Sequence, residues 1–372
     1  MHAPDAGHVT ITTLEQLSGT EAAEVLGLAD AAAAADGVGP LSEQVRLHLE
    51  YGGGHGARDL LLRRGDALAG YAHLGGPDPA GHLSGELVIH PAQRRRGLGL
   101  ALARTAVAEA GPMPVRIWAH GDLPAAAGLA VAAGFTRVRS LLQMRRPLGA
   151  PLPEPRLPDG VTLRSFVPGR DEDAWLALNA AAFADHPEQG GWTRDELEHR
   201  EAKPWFDPAG FFLAVRAGRL AGFHWTKIHA PAGAGEPAGE VYVVGVHPAE
   251  QGTGLGKALT LAGLHYLRGR EIPWVILYVD GENAAAIRLY DSLGFAHIAT
   301  DVMYEHAAGQ PQKPQKNRRQ QPQIARFAGP AGAGAGPRGE VTRAAGQREF
   351  PWGRPRAGTA ANGEVADRPV SR

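Results

Sequence analysis

The stretch Val243-Val244-Gly245-Val246-His247-Pro248-Ala249-Glu250-Gln251-Gly252-Thr253-Gly254-Leu255-Gly256 decides the fold, because the chain carries it twice. Its counterpart is Glu86-Leu87-Val88-Ile89-His90-Pro91-Ala92-Gln93-Arg94-Arg95-Arg96-Gly97-Leu98-Gly99, with the same spacing from the proline to the last glycine. Downstream, Leu293-Gly294-Phe295 answers Ala133-Gly134-Phe135, and each half has an apolar strand-like run in between, Trp274 to Val279 and Pro114 to Ala119. The offsets, 157 residues from His90 to His247 and 160 from Phe135 to Phe295, indicate a duplicated domain. Between the copies lies PLGAPLPEPRLP, a stretch of linker composition. We therefore expect domains over 1–147 and 159–306, joined by a linker over 148–158.

Each half follows a similar order. In the second, VTLRSFV reads as a strand and Glu172 to Phe183 as an amphipathic helix, while FFLAVR and LAGFHWTKI read as paired strands. Glu240 to Val246 reads as a central strand, followed by the glycine-rich turn and a helix from Leu255 to about Arg268. A strand over Val275 to Val279, a helix from Asn283 to Leu293 and a closing hairpin complete the half. The predicted class is α/β, with two tandem domains, each a mixed central sheet flanked by helices.

The composition agrees with an ordinary globular protein: 372 residues, 21% charged and 44% hydrophobic. No cysteine is present, which excludes a disulfide scaffold, an iron–sulfur cluster and a cysteine nucleophile, and fits the cytoplasm. There is no apolar run of 18 residues and no signal-like start, so no membrane association is expected. The net charge of −1 hides an asymmetry: residues 307–372 hold 12 Lys and Arg against 4 Asp and Glu, with 10 Gly and 8 Pro. Such a basic tail buries too little surface to offset an ordering entropy of about 1–2 kcal/mol per residue, so disorder is expected there. The 16 His show no metal-ligand spacing. His90 and His247 belong to the repeat, and His224, His229 and His265 read as structural, so no metal is expected.

A strand, then Arg/Gln-x-x-Gly-x-Gly, then a helix makes an anion cradle, because glycines let backbone N–H groups approach phosphate oxygens at a helix N-terminus. Two alternatives fail on spacing. A P-loop requires a glycine five residues before Gly256, where Gln251 stands, and Lys257 is followed by Ala258 rather than Ser or Thr. A dinucleotide fold requires a third glycine three residues on, and Lys257 and Leu102 occupy those places.

With these motifs the chain resembles the GCN5-related N-acetyltransferase (GNAT) superfamily in both halves. The resemblance implies a cleft between splayed parallel strands that holds acetyl-CoA. The backbones of Leu87, Val88 and Ile89, and of Val244, Gly245 and Val246, would meet pantetheine or the acetyl group. Residues Arg95, Arg96, Gly97, Leu98, Gly99 and Leu100 would wrap the pyrophosphate in one half, and Gln251, Gly252, Thr253, Gly254, Leu255, Gly256 and Lys257 in the other. Over the second helix, Asn283 would bond the pantetheine amide and Ala284, Ala285, Ala286, Ile287 and Arg288 would flank the cofactor. Basic residues are common in the superfamily where Gly252 and Thr253 stand, which implies a weaker phosphate hold in that half. Glu188-Gln189-Gly190-Gly191-Trp192, Pro204-Trp205-Phe206-Asp207-Pro208, the Gly239 to Val246 strand, and Leu277-Tyr278-Val279 with Asn283 are further similar to the mycothiol synthase family. That likeness implies N-acetylation of the cysteinyl amine of desacetylmycothiol, with Glu43, Glu188, Lys227, Glu240 and Tyr278 contacting this small polyhydroxylated substrate.

Aligning the halves places Tyr290 opposite Ala130, Asn283 opposite Leu123 and Glu240 opposite Leu83. Chemistry is therefore expected in the second half, with the first non-catalytic. Acyl transfer needs a neutral amine, a stabilised oxyanion and a leaving thiolate. Glu240 is the candidate base, Tyr290 the candidate acid at sulfur, and the backbone near Val244 to Val246 the candidate oxyanion donor. At reference values, full proton transfer from Tyr290 to the thiolate is uphill by roughly 2 kcal/mol. Three readings stay open: a tandem acetyltransferase for another small amine, an aminoglycoside or a protein N-terminus; an acetyl-CoA sensor without activity; and a protein acting through its basic tail. A monomer is expected, without nucleic acid.

Overall fold

The computed structural model describes residues 8–52, 56–184, 187–231 and 236–307, with only the backbone of Pro187 and Glu188. The tail expected over 307–372 lies outside the described residues beyond Ala307. The first half runs β1 (Val9–Leu14), α1 (Gly19–Asp36), α2 (Glu43–Tyr51), β2 (Arg58–Arg64), β3 (Ala67–Pro77), β4 (Leu83–Ile89), α3 (Leu98–Ala110), β5 (Val115–Ala119), α4 (Pro124–Ala133) and β6 (Thr136–Pro147). The second runs β7 (Val161–Ser165), α5 (Glu172–Ala182), α6 (Pro187–Gly190), α7 (Arg194–Glu201), β8 (Phe211–Arg216), β9 (Arg219–His229), β10 (Ala238–Val246), α8 (Leu255–Gly269), β11 (Trp274–Asp280), α9 (Ala284–Ser292) and β12 (Ala296–His306).

Strand alternation sorts the cores onto two faces. Leu60 and Leu62 pack with Leu98 and Leu102 of α3, whereas Leu61 between them packs with Val25 and Leu28 of α1. In the second half Phe211 and Leu213 lie with Trp175 of α5, and Ala214 lies with Leu255 and Leu259 of α8. One face of the sheet therefore carries α3, α4, α8 and α9, and the other α1, α2, α5 and α7. Glycine stops are used where the chain must turn into the left-handed region, as at Gly134 (φ 83°) and Gly294 (φ 81°) after the helices α4 and α9.

The sheet differs from the expectation of a closing hairpin in the second half. All twelve strands form one sheet in the order β1-β2-β3-β4-β5-β12-β6-β11-β10-β9-β8-β7. The last strands are exchanged: β6 runs antiparallel to β11 from Trp274↔Pro147 to Asp280↔Leu141, and β12 pairs with β5 from Val302↔Ala119 to His306↔Val115. Each closes the other half's sheet, and β6 and β12 pair with one another along the seam. The exchange leaves no edge strand at the junction. The proline-rich segment is also no loose spacer, since Leu148 and Leu152 are buried in the second half's core and the Leu148 N–H donates to Pro273 O at 2.9 Å.

Candidate functional site

Strands β10 and β11 pair in parallel only at Gly239↔Val275, Glu240↔Ile276 and Val241↔Leu277. Beyond that point β10 continues to Val246 along β9 alone, and a bulge between Val241 and Val243 turns it away. The edge of Val244, Gly245 and Val246 towards β11 is thereby opened. The turn that follows reaches φ 76° at Gly252 and 87° at Gly254 before α8 begins. Gly254 caps α8 without any side-chain hydrogen bond, as Gly97 caps α3. Helices α1, α2, α7 and α9 instead begin on the side chains of Ser18, Ser42, Thr193 and Asn283. The first N–H groups of α3 and α8 are thus left to an outside acceptor, which suits a pyrophosphate. Lys257 and Arg288 are exposed on the helices α8 and α9. In the first half Arg95 takes φ 61° where Gly252 stands in the second, so both loops follow the same path. Arg94 is committed elsewhere, forked onto Asp36 at 2.6 and 2.7 Å.

Glu240 is buried on β10 directly across from Lys227 on β9, and both point to the α5 and α7 face. Its Oε2 lies 2.6 Å from Nε2 of His229, whose side chain is 38% exposed. The Lys227 ammonium donates to Glu43 and sits 4.5 Å from the Trp205 ring and 4.9 Å from that of Tyr242. Tyr242, the bulge residue, donates to Glu43 Oε2 at 2.7 Å and accepts from Arg200 Nε at 2.8 Å. Burial opposes the Glu43 charge, but Lys227, Tyr242 and Arg200 together hold its carboxyl below the usual value. Glu43 comes from α2 of the first half, so the halves build this patch jointly. Tyr278 is exposed on β11, accepts from Gln143 Nε2 at 3.0 Å, and is pushed up by burial of its hydroxyl and by Glu240 and Asp301. Glu188 lies in α6, its side chain outside the described residues.

Tyr290 stands on the other face. It is buried among Val241, Leu277 and Val279, with Val244 beside them, edge-on to Phe295 at 5.7 Å. Since Val241 faces Tyr290 and Glu240 points the opposite way, the two flank the strand opening from opposite sides. Burial pushes the Tyr290 hydroxyl up to about 12. Asn283 caps α9, its Oδ1 accepting from Ala286 N at 3.0 Å. Ala284, Ala285, Ala286 and Ile287 form the first turn behind it.

Three sequence readings are corrected. His229 is not a lone histidine but the hydrogen-bond partner of Glu240; nothing in its spacing marks this, because the contact crosses two strands. His224 does behave as read: it is fully buried, bonded to Leu259 O at 2.7 Å and pushed down to about 4 by burial. The bulge shifts the register between the halves by one, so Ser84, not Leu83, occupies the face and place of Glu240. From Gly85 to Ile89, where the second half has its bulge, the pairing of β4 with β3 is regular, its own irregularity falling between Leu74↔Gly85 and Pro77↔Leu83, and Leu83 lies in the opposite core. The reading that the histidines show no metal-ligand group is also corrected in geometry, since His48 and His73 both meet Asp59 in the first half, three side chains of ligand type brought together.

At the matching opening of the first half the strands part after Glu86↔Trp118. Glu86 accepts from Ser42 N at 2.7 Å, and His120 lies between Glu86 (3.4 Å) and Asp301 of β12 (3.0 Å). Burial works against the imidazolium, but hydrogen bonds to Asp301 and Glu86 push His120 up to about 10. A polar plug thus fills the face that holds Glu240 in the second half.

Comparison with known proteins agrees with this architecture. The profile of the Acetyltransferase (GNAT) family matches residues 175–295. A mycothiol acetyltransferase of Thermobispora bispora is 65% identical over 281 residues, covering 75% of this chain and 94% of its own, and one of Thermomonospora curvata is 59% identical over 291, covering 78% and 95%. Among solved structures, a tandem GNAT protein of the clavulanic acid biosynthesis pathway aligns with a TM-score of 0.61 at 21% identity, over 81% of this chain and 99% of its own. With curated relatives so similar along nearly their whole length, the chain belongs to the mycothiol acetyltransferase family of GNAT acetyltransferases.

Proposed function

We propose that the chain transfers the acetyl group of acetyl-CoA to the cysteinyl amine of desacetylmycothiol, giving mycothiol, and that the second half does the chemistry. The observation that carries this reading is the strand opening of the second half, flanked by the buried Glu240 on one face and Tyr290 on the other. The name of the relatives supports the acceptor. Glu240 takes the proton of the amine, whose reference pKa is about 7.7–8.0, and His229 links that carboxylate to solvent. The amine attacks the thioester carbonyl, so an N–C bond forms as the C–S bond breaks. Backbone N–H groups at Val244 to Val246 face the developing oxyanion, and the Tyr290 hydroxyl donates to the departing sulfur.

Glu43, Lys227 and Tyr278, with Glu188, meet the sugar and inositol hydroxyls. The Lys227 and Glu43 charges neutralise one another, which suits a neutral polyol beside a cationic amine. The first half, with its plug of Glu86, His120 and Asp301, is assigned a non-catalytic role. No described helix is long and apolar enough to cross a membrane. We place the enzyme in the cytoplasm as a monomer that uses no metal and binds no nucleic acid.

The test is acetyl transfer followed by mass, with desacetylmycothiol as acceptor and glucosaminyl-inositol lacking cysteine as control. N-acetylation of the cysteinyl compound alone is expected. No product, with acetyl-CoA binding intact, would leave the acceptor to be sought among other amines.

A further inference from the structure

We infer that a buried clasp in the first half, His48 bound to Asp59, holds α2 so that Glu43 stands in the acceptor site of the second half. The inference rests on the reading of Glu43 as an acceptor contact and makes His48 and Asp59 positioning residues. Asp59 on β2 is completely buried, and both its oxygens accept: Oδ1 from the Tyr71 hydroxyl at 2.6 Å and from His73 Nδ1 at 3.0 Å, Oδ2 from His48 Nε2 at 2.8 Å. Tyr71 and His73 belong to the neighbouring strand β3. His48 alone comes from a helix.

The second half shows that this face does not require a charge. Counting along the paired hairpins, the places of Asp59, Tyr71 and His73 hold Phe211, Phe223 and Trp225, with Phe211 stacked on Trp225 at 4.5 Å. A buried carboxylate is costly unless its hydrogen bonds are complete, so the first half retains a cluster that favours one position of α2. The cluster has the residue types of a zinc site, but two donors bound tetrahedrally to one zinc lie about 3.3 Å apart. The pairs at 2.8 and 3.0 Å are hydrogen bonds.

Helix α2 lies between the halves. His48 follows Glu43 by five residues, roughly 140° around the helix, so the clasp and Glu43 point in different directions. Towards the second half Glu43 receives Lys227 and Tyr242. Gln44 and Tyr51, only about 40° and 60° around the helix from His48, reach the second half as well: Gln44 accepts from Arg200 at 2.7 Å and donates to Glu196 at 2.9 Å, and Tyr51 stacks on His199 at 4.5 Å. Loss of the clasp leaves Asp59 short of a donor and lets the Glu43 end of the helix shift.

The test uses the full chain with His48→Leu, His48→Gln, Asp59→Asn and Glu43→Gln, measuring KM for each substrate, kcat, and amide hydrogen exchange across residues 43–51. We expect His48→Leu and Asp59→Asn to raise the acceptor KM about tenfold and to speed exchange in α2. The KM for acetyl-CoA and kcat should stay within about twofold, and His48→Gln, whose amide donates from the place of Nε2, should recover most of the loss. If Glu43→Gln raises the acceptor KM while folded His48→Leu and Asp59→Asn change neither it nor the exchange, the clasp is overturned. If Glu43→Gln leaves the acceptor KM unchanged, the Glu43 reading fails, and the exchange data still decide the clasp. Stoichiometric zinc on the purified chain, lost in His48→Leu, would overturn the hydrogen-bonded clasp in favour of a metal site.

Discussion

Replacing Tyr290 by phenylalanine removes one oxygen from a ring held against Phe295 and the β11 core, and the remaining ring keeps that packing. Burial pushes the hydroxyl up to about 12, whereas a thiol lies near 8.5. Handing its proton entirely to the leaving thiolate is therefore uphill by on the order of 5 kcal/mol, more than twice the cost at reference values. The same burial makes it a secure donor at neutral pH, so the role we propose for it is a hydrogen bond to developing negative charge, worth about 1.5–3 kcal/mol. Tyr290→Phe should lower kcat roughly 10- to 150-fold with little change in the KM for acetyl-CoA. Because the donor is lost only as pH rises towards about 12, kcat of the parent should show no fall due to this group between about pH 7 and 10. Initial rates of product formation, followed by mass across that range for both proteins, check each point. A variant within twofold of the parent refutes the assignment, and a loss beyond about 10⁴ would show that the proton itself is transferred from Tyr290.

Glu240→Gln should reduce turnover by roughly 10²–10⁴ at neutral pH, and near-parental turnover would reject the base role. Gly254→Asp, at φ 87° and beside the free N–H groups of α8, should weaken acetyl-CoA use and the single-turnover rate far more than Gly97→Asp at φ 80° in the first half. Equal losses would overturn the division of labour. His120, at about 10 when folded against about 6.5 unfolded, adds stability that is complete below pH 6.5 and is lost as pH rises through 10. The unfolding free energy of the parent, from urea titrations, should therefore fall between about pH 7 and 10 relative to His120→Asn, by on the order of a few kcal/mol, and parallel curves would refute the pairing.

Much of the candidate site is legible in one dimension because it depends on short-range backbone chemistry. Gly97 and Gly254 mark left-handed helix caps, and the repeated His-Pro marks the strand end, where His90 and His247 each accept from the N–H two residues on at 3.2 Å. His229 escapes such reading, since its tie to Glu240 depends on two strands lying side by side. Arg200 and Tyr242 escape it too, being placed by a helix packing and by a bulge.

The sequence by itself determined the duplication, the α/β order of each half, the two glycine-capped turns into a helix and the absence of Glu240, Asn283 and Tyr290 equivalents from the first half. Those features follow from local periodicity, glycine placement and residue identity at matched spacing. Only the tertiary structure decided that β6 and β12 change places, that a one-residue bulge sets Glu240 against Ser84, and that α2 of one half delivers Glu43 to Lys227 of the other. Strand pairing and helix docking are chosen by the burial available across the whole sheet. The backbone of a strand can pair with either neighbour, so the partners of β6 and β12 are fixed by three-dimensional packing and not by local sequence.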